Sequence, residues 1–153
     1  MSLASRQFST FYLDNRLYGI EVTEVQEVAI VSRITRIPLA PSYIRGVINL
    51  RGQIATAVEL RDLFGISTSV QTEQMSVVSK VEDVLLSLLV DKIGDVVEVS
   101  QSDYEPIPET VPASVRRFAD GVYKTDREIM TVITADKVFK AINSNEKEKT
   151  YEK

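Results

Sequence analysis

Few residues in this chain have the chemistry for catalysis or for metal binding. Its 153 residues include no cysteine and no histidine. That excludes disulfides, iron–sulfur clusters, thiolate zinc sites and cysteine nucleophiles, and it removes the commonest general base near neutral pH. The sequence also has no Walker-type loop, no dinucleotide-binding fingerprint, no G-x-S-x-G motif and no calcium loop. We therefore expect no enzyme activity, no metal and no cofactor.

Serine, lysine and carboxylate side chains are the remaining sources of reactivity, and the enzyme hypothesis uses the carboxylates. Glu27, Asp91 and Asp95 are acidic residues that the predicted elements place loosely near one another. Carboxylates that converge in a groove can act as general acid and base or hold a hard cation. A small carboxylate enzyme is therefore the weakest of three hypotheses, and a structure in which these groups stay apart would remove it.

The most informative charged residue is an arginine at a tight bend. The stretch GVINLRGQIATAVEL (residues 46–60) predicts two apolar strands that meet at Arg51 and Gly52. A hairpin-tip cation contributes little to a core, so by itself Arg51 is either a solvated charge or a binding residue. Since the chain has so few reactive groups, a binding role for Arg51 would mean contact with another protein.

Composition narrows the class of protein further. Hydrophobic residues make up 44% of the chain and charged residues 26%, which is typical of a soluble globular domain. A formal charge of −4 argues against nucleic acid as a partner, because that affinity rests on lysine and arginine. The longest apolar run, VLLSLLV, is much shorter than the ~20 residues that cross a bilayer. With no visible secretory signal, we expect a cytoplasmic protein without direct membrane insertion.

Most of the predicted elements are strands. VLLSLLV, apolar on both faces, predicts a buried central strand, and Thr134 predicts the N-cap of a short closing helix. Val22, Val25 and Val28 recur every three residues, which predicts one or two helical turns. Residues 67–75 are polar and predict a linker, and the charged residues 144–153 predict a disordered tail.

Two internal repeats organise these elements. Residues 46–64 align without a gap over residues 121–139, and residues 18–28 align more weakly over residues 86–96. Matched hairpin-then-helix patterns predict two similar β units that bury their apolar faces against each other, with a binding groove between them. We expect one domain, with a first subdomain over residues 7–66 and a second over residues 76–143.

Four blocks of sequence, YGIEVTEVQEV, TRIPLAPSYIRGVINLRG, ELRDLFGI and GVYKTDREIMTVIT, together resemble the CheW-like family of chemotaxis coupling proteins. The resemblance covers residues 8–143 in the right order and spacing. It implies an all-β fold with short helices, in which two SH3-like five-stranded β barrels pack around a shared hydrophobic core. It also implies a non-enzymatic adaptor that joins chemoreceptor signalling tips to the regulatory domain of the CheA histidine kinase.

The resemblance implies two sets of binding residues. For the chemoreceptor tip they are Val25, Glu27, Arg51, Ile93 and Val96. For the kinase regulatory domain they are Ile34 and Thr35, on a predicted edge strand. Each has a simpler interpretation: the apolar residues can be core, and Glu27 can be an ordinary surface charge.

Several positions depart from the family pattern. Thr56 replaces a proline and Ser87 a glycine, while Glu105 stands where the family often has an arginine that serves a second kinase contact. The acidic-aromatic pair of that contact aligns with Glu109 and Thr110. The charge reversal at Glu105 leaves the second-ranked hypothesis open, a CheW-like scaffold in a pathway other than chemotaxis, such as surface motility. The identity of the receptor and kinase genes beside it would distinguish this scaffold from the chemotaxis adaptor.

Overall fold

The chain folds into two β-sheets with short helices. The computed structural model describes residues 5–31, 33–67 and 74–151. Within those ranges the strands are β1 Ser5–Leu13, β2 Arg16–Glu21, β3 Val25–Val31, β4 Ile44–Leu50, β5 Gln53–Glu59, β6 Gln74–Val81, β7 Val84–Val90, β8 Lys92–Ser100, β9 Tyr104–Glu105, β10 Ala119–Lys124 and β11 Ile129–Ile133. The helices are α1 Leu60–Leu63, α2 Ala113–Arg116 and α3 Ala135–Tyr151, with 3₁₀ turns at Val22–Glu24 and Gln101–Asp103.

The two sheets exchange strands between the halves of the chain. The six-stranded sheet has the order β8-β1-β2-β11-β10-β9, and the five-stranded sheet has the order β3-β6-β7-β5-β4. The sheets therefore do not follow the expected contiguous subdomains, residues 7–66 and 76–143. Alternation of apolar residues reports which face of a strand is buried but not which sheet it joins. Residues 68–73 of the expected linker lie outside the described residues, and β6 begins at Gln74.

Both sheets use the same pairing scheme. Thr56 lies opposite Leu86 in the parallel pair β5–β7, and Thr131 lies opposite Tyr18 in the parallel pair β11–β2. The first sequence repeat carries Thr56 onto Thr131, and the second carries Tyr18 onto Leu86. The same parallel pairing therefore occurs once in each sheet. In each case, one strand comes from the first repeat and its partner comes from the second repeat.

The core lies mainly between the sheets. We call it the central cluster; its aromatic members Phe11, Tyr18, Phe64 and Phe118 form a row with ring centroids 5.2–5.7 Å apart. A second cluster, the five-strand cluster, lies within the five-stranded sheet and consists of Val31, Ile48, Ala55, Ala57, Val78, Leu85 and Leu89. The predicted fold class is confirmed, with β9 as a short additional strand.

Local predictions had mixed outcomes. β7 is the buried central strand that its composition predicts, and the Thr134 hydroxyl accepts a hydrogen bond from the Lys137 amide at 3.3 Å, as an N-cap does. The expected helical turns through Val25 and Val28 were wrong: one 3₁₀ turn covers Val22–Glu24, and a strand follows. A three-residue period matches the 3₁₀ repeat, and β-branched residues then favour a strand.

The closing helix is longer than the sequence suggested. α3 runs through Tyr151, although we expected it to end near residue 143 and to leave a disordered tail. Lysine and glutamate dominate the last residues, and both have high helix propensity. The backbone of residues 144–151 is therefore helical in the structure.

Candidate partner-binding site

Arg51 lies at the first position of a two-residue hairpin turn between β4 and β5. Its φ is +52° and that of Gly52 is +85°, the combination of a type I′ turn. The Asn49 side-chain oxygen accepts the Gly52 amide hydrogen at 2.8 Å and fixes the turn. A left-handed backbone costs a non-glycine residue about 1 kcal/mol. The turn therefore holds a long cation, 84% exposed, at a defined point on the surface.

Glu27 is the partner of Arg51. The Arg51 Nη2 atom lies 3.4 Å from the Glu27 Oε1 atom, and the Glu27 side chain is 29% exposed. A bulge between Val25 and Glu27 shifts the register of β3 against β6 and places Glu27 opposite Val78. An ion pair this exposed contributes only about 0–1 kcal/mol to stability. Both charges are thus held together while the cation stays accessible to a partner.

The apolar residues expected in the same site are divided between core and surface. Val25 and Ile93 are half-buried, and both pack against the central cluster. β8, which carries Ile93, lies against β6, the neighbour of β3. Val96 is 61% exposed on β8, on the other sheet from Arg51 and Glu27. The structure therefore joins Arg51 to Glu27 directly and places Val25 and Ile93 along the seam between the sheets.

The expected kinase-binding residues lie where the five-stranded sheet closes. Thr35 and Val47 exchange two backbone hydrogen bonds, of 2.9 and 2.8 Å, which tie the segment after β3 to β4. A Cβ on Gly46 would lie 2.0 Å from the Thr35 carbonyl oxygen, so only glycine permits this approach. The Thr35 backbone is therefore already paired. Ile34, expected to be exposed on an edge strand, is half-buried against the five-strand cluster.

The three carboxylates of the enzyme hypothesis do not converge. Glu27 pairs with Arg51, whereas Asp91 accepts two hydrogen bonds from the Arg61 guanidinium, at 2.7 and 2.8 Å. Asp95 is an exposed residue of β8. Within the part of the chain that the structure describes, no group of three acidic residues could hold a metal ion. The carboxylate site suggested by the sequence is therefore not formed.

Asp91 is a structural anchor rather than a reactive group. Burial disfavours its charge, but the Arg61 guanidinium and the Asp14 amide at 2.8 Å together hold the pKa of Asp91 below its ordinary value. Its position directly after the buried strand β7 was an available signal, since a charge beside a core needs a partner.

Two further buried or half-buried carboxylates were also missed. Glu59 is 1% exposed and accepts hydrogen bonds from Arg45 and Gln74, both at 3.1 Å. Glu24 accepts the Ala135 amide hydrogen at 3.0 Å and so caps α3, and burial raises the pKa of Glu24. The Glu24–Ala135 contact joins distant parts of the chain, for which local sequence patterns carry no signal. Arg45 and Glu59 instead belong to the two strands of one hairpin.

Glu105, one of the departures from the family pattern, forms an ion pair with a residue on the neighbouring strand. Glu105 lies 2.9 Å from the Lys124 ammonium on the exposed side of β9 and β10, and this carboxylate raises the pKa of Lys124. Glu109 and Thr110 are exposed in the loop that follows.

Within the described ranges, no helix is long and apolar enough to cross a bilayer.

The chain is a two-sheet β protein with an exposed cation held beside a carboxylate, and comparison with known proteins identifies its family. The CheW-like domain family matches residues 7–143. This chain belongs to the CheW-like family of chemotaxis scaffold proteins.

Individual relatives agree over most of their length. The chain is 30% identical over 146 residues to chemotaxis protein CheW of Treponema pallidum, covering 91% of this chain and 86% of that protein. It is 29% identical to CheW of Rhizobium meliloti, covering 88% and 87%. The crystal structure of the scaffolding protein TtCheW from Thermoanaerobacter tengcongensis matches with a TM-score of 0.75 and 30% identity, covering 84% of this chain and 88% of that one. The resemblance seen in the sequence is confirmed.

Proposed function

We propose that this chain is a non-enzymatic adaptor that couples chemoreceptor signalling tips to the regulatory domain of a CheA-type histidine kinase. The observation that carries the proposal is the pairing of Arg51 with Glu27 in a CheW-like fold. Both residues belong to the set that the family resemblance implies for the receptor, and the Arg51 side chain is 84% exposed.

The receptor contact follows the chemistry of a helix bound along a groove. Apolar side chains supply most of the affinity in such contacts, and charged groups fix the register. Here Val25 and Ile93 lie along the seam between the sheets, and Val96 adds exposed apolar surface. Arg51 and Glu27 supply the two charges. A receptor helix that offers a carboxylate and an apolar face fits this arrangement.

The kinase contact uses a different surface, around Ile34 and Thr35. Thr35 has an exposed side chain on a backbone that is rigidly tied to β4. Because Ile34 and Thr35 are not among the five residues proposed for the receptor, we infer that one molecule can hold both partners. Such an adaptor works in the cytoplasm and joins membrane receptor arrays only through its partners.

A CheW-like scaffold outside chemotaxis is the second candidate, and one observation favours it. The Glu105–Lys124 pair presents a carboxylate where the family pattern often has an arginine for a second kinase contact. If that contact is absent, the chain joins a receptor and a kinase without closing larger rings. A partner surface of altered charge is then expected at β9.

Titration calorimetry tests the proposal with purified proteins. The chain is titrated with the regulatory domain of the kinase encoded beside it and, separately, with the cytoplasmic tip of the neighbouring receptor. We expect saturable binding to both. A folded sample that binds neither partner would contradict the adaptor role.

A further inference from the structure

One short segment joins the two sheets and leads directly into the strand that carries two of the proposed receptor residues. β2 ends at Glu21 in the six-stranded sheet, and a 3₁₀ turn then covers Val22–Glu24. β3 begins at Val25 in the five-stranded sheet, and the Val25 amide donates to the Val22 carbonyl and closes the turn. We call residues 21–27 the crossover segment. Its conformation determines where β3 enters the five-stranded sheet.

Three glutamates of the crossover segment each bind a different part of the fold. Glu21 accepts two hydrogen bonds from the Arg6 guanidinium on β1, at 2.8 and 3.1 Å. Glu27 lies 3.4 Å from Arg51 in the turn between β4 and β5. Glu24, midway between the other two, accepts the first amide hydrogen of α3 at 3.0 Å. The segment is therefore held to β1, to α3 and to the β4–β5 hairpin.

Glu24 differs from the other two glutamates in the chemistry of its contact. Glu21 and Glu27 each face a guanidinium, whereas Glu24 forms no ion pair with any residue in the described ranges. Burial raises the pKa of Glu24 above its ordinary value, although the α3 amide opposes this effect. The carboxylates of Glu21 and Asp120 raise that pKa further, and Arg6 lowers it. Because the folded pKa is raised, the ionised form is less favourable in the fold than in the unfolded chain. The charge of Glu24 therefore does not stabilise the fold at neutral pH.

The helix that receives this contact is firmly packed without it. Val138, Ala141 and Ile142 of α3 belong to the central cluster. α3 also packs against β6, the strand that pairs with β3. The Thr134 hydroxyl already caps the helix. The bond from Glu24 therefore ties the crossover segment to a helix that is already held in place by other contacts.

We propose that Glu24 is a positioning residue for the receptor contact. By accepting the first amide hydrogen of α3, it holds the crossover segment against the helix and fixes where Val25 and Glu27 face the receptor. Glu24 acts through these neighbours and is not itself a contact residue. The inference rests on the proposed function, which assigns Val25 and Glu27 to the receptor, and it adds a residue outside that set.

Three variants test the inference. Glu24→Ala removes the acceptor and releases the crossover segment from α3. Glu24→Gln removes the charge but keeps an oxygen acceptor on a side chain of the same length, so it is the rescue variant. Thr134→Ala removes the helix's own cap and leaves the crossover segment unchanged. It is the matched control, because it weakens the same end of the same helix.

The measurements are the Kd for the purified receptor tip, the Kd for the kinase regulatory domain and amide hydrogen exchange, at a temperature well below every melting transition. We expect Glu24→Ala to weaken receptor binding at least fivefold, and Glu24→Gln and Thr134→Ala to change it less than twofold. Kinase binding should stay within twofold in all three variants, because Ile34 and Thr35 lie beyond the other end of β3. Exchange at residues 25–27 should quicken in Glu24→Ala and stay unchanged in Thr134→Ala.

The outcomes separate this inference from the proposed function. If the parent chain binds the receptor tip and Glu24→Ala binds it equally well, the positioning role is overturned while the adaptor role stands. If Thr134→Ala or Glu24→Gln weakens receptor binding as much as Glu24→Ala does, the cause is the helix or the charge, and the inference is again overturned. Loss of receptor and kinase binding together in Glu24→Ala would overturn it as well, since the whole fold would then be affected. If the parent chain does not bind the receptor tip, both proposals fail.

Discussion

The guanidinium of Arg51 lies 3.4 Å from the carboxylate of Glu27, although the two residues come from different strand pairs of the five-stranded sheet. A type I′ turn fixes Arg51, and a bulge in β3 fixes Glu27. Two local irregularities therefore meet at one point on the surface. That coincidence is difficult to explain by stability, because an exposed ion pair contributes about 0–1 kcal/mol.

Replacing Arg51 tests the receptor contact. Arg51→Glu places two carboxylates side by side, and we expect the affinity for the receptor tip to fall more than tenfold, or about 1.4 kcal/mol. Because the side chain is exposed, the free energy of unfolding should change by less than about 0.5 kcal/mol. Arg127→Glu, the same change in the exposed turn between β10 and β11, is the control. Unchanged receptor affinity in a folded Arg51→Glu protein would refute the role of Arg51.

A charge swap separates the ion pair from the binding site. Glu27→Arg combined with Arg51→Glu restores an attractive pair in the reverse orientation. We expect the double variant to regain the stability of the parent chain but not its receptor affinity, since the partner carries fixed charges of its own. Calorimetry and urea unfolding on the two single variants and the double variant complete the cycle. Full recovery of receptor binding would mean that the pair has only a structural role.

Ile34 and Thr35 should behave differently on substitution. Ile34 packs against the five-strand cluster, so Ile34→Asp buries part of a carboxylate and should cost about 1–3 kcal/mol of stability. The Thr35 side chain is exposed, so Thr35→Lys should leave stability unchanged and weaken kinase binding alone. Urea unfolding and calorimetry with both partners distinguish these effects. Equal loss of kinase and receptor binding in Thr35→Lys would show that Thr35 is not part of a kinase-specific surface.

The Arg61–Asp91 pair predicts a dependence of stability on pH. Burial opposes ionisation of Asp91, but Arg61 and the Asp14 amide lower its pKa in the folded state below the unfolded value of 3.8. The Asp91 contribution is therefore complete above pH 3.8 and is lost as the pH falls through the lower folded pKa. Arg61→Gln should reduce the difference in unfolding free energy between about pH 7 and pH 3.

The exposed Arg16 provides a matched control for this experiment. Arg16→Gln removes a cation from the start of β2 without touching Asp91, and it should keep the pH dependence of the parent chain. Urea unfolding across the acid range measures both variants. If Arg61→Gln showed the same pH dependence as the parent chain, Asp91 would not be the group that is stabilised.

Sequence patterns predicted the local structure of this chain better than the pairing of its strands into two sheets. The apolar run of β7 predicted a central strand, and Thr134 predicted a helix cap, because each depends on nearby residues. The exchange of strands between the sheets was not predictable, since β2 and β11 are far apart in sequence and their alternation fits either sheet. The two internal repeats contained a clue to this exchange, because they align at different offsets along the chain.

The candidate site was predictable only in part. Arg51 could be located from its turn and the surrounding block, and its pairing with Glu27 required the bulge in β3, which no sequence signal marks. Ile34 was expected on an exposed edge, but Thr35 closes the sheet and turns Ile34 toward the five-strand cluster. Recognition of partners depends on these long-range contacts.

Simultaneous binding of receptor and kinase is the most direct test of the adaptor role. The chain is saturated with the kinase regulatory domain and then titrated with the receptor tip, and sedimentation velocity measures the mass of the complex. We predict a ternary complex with a receptor Kd within about threefold of that for the free chain. Displacement of one partner by the other would contradict the adaptor role, because an adaptor must hold both at once.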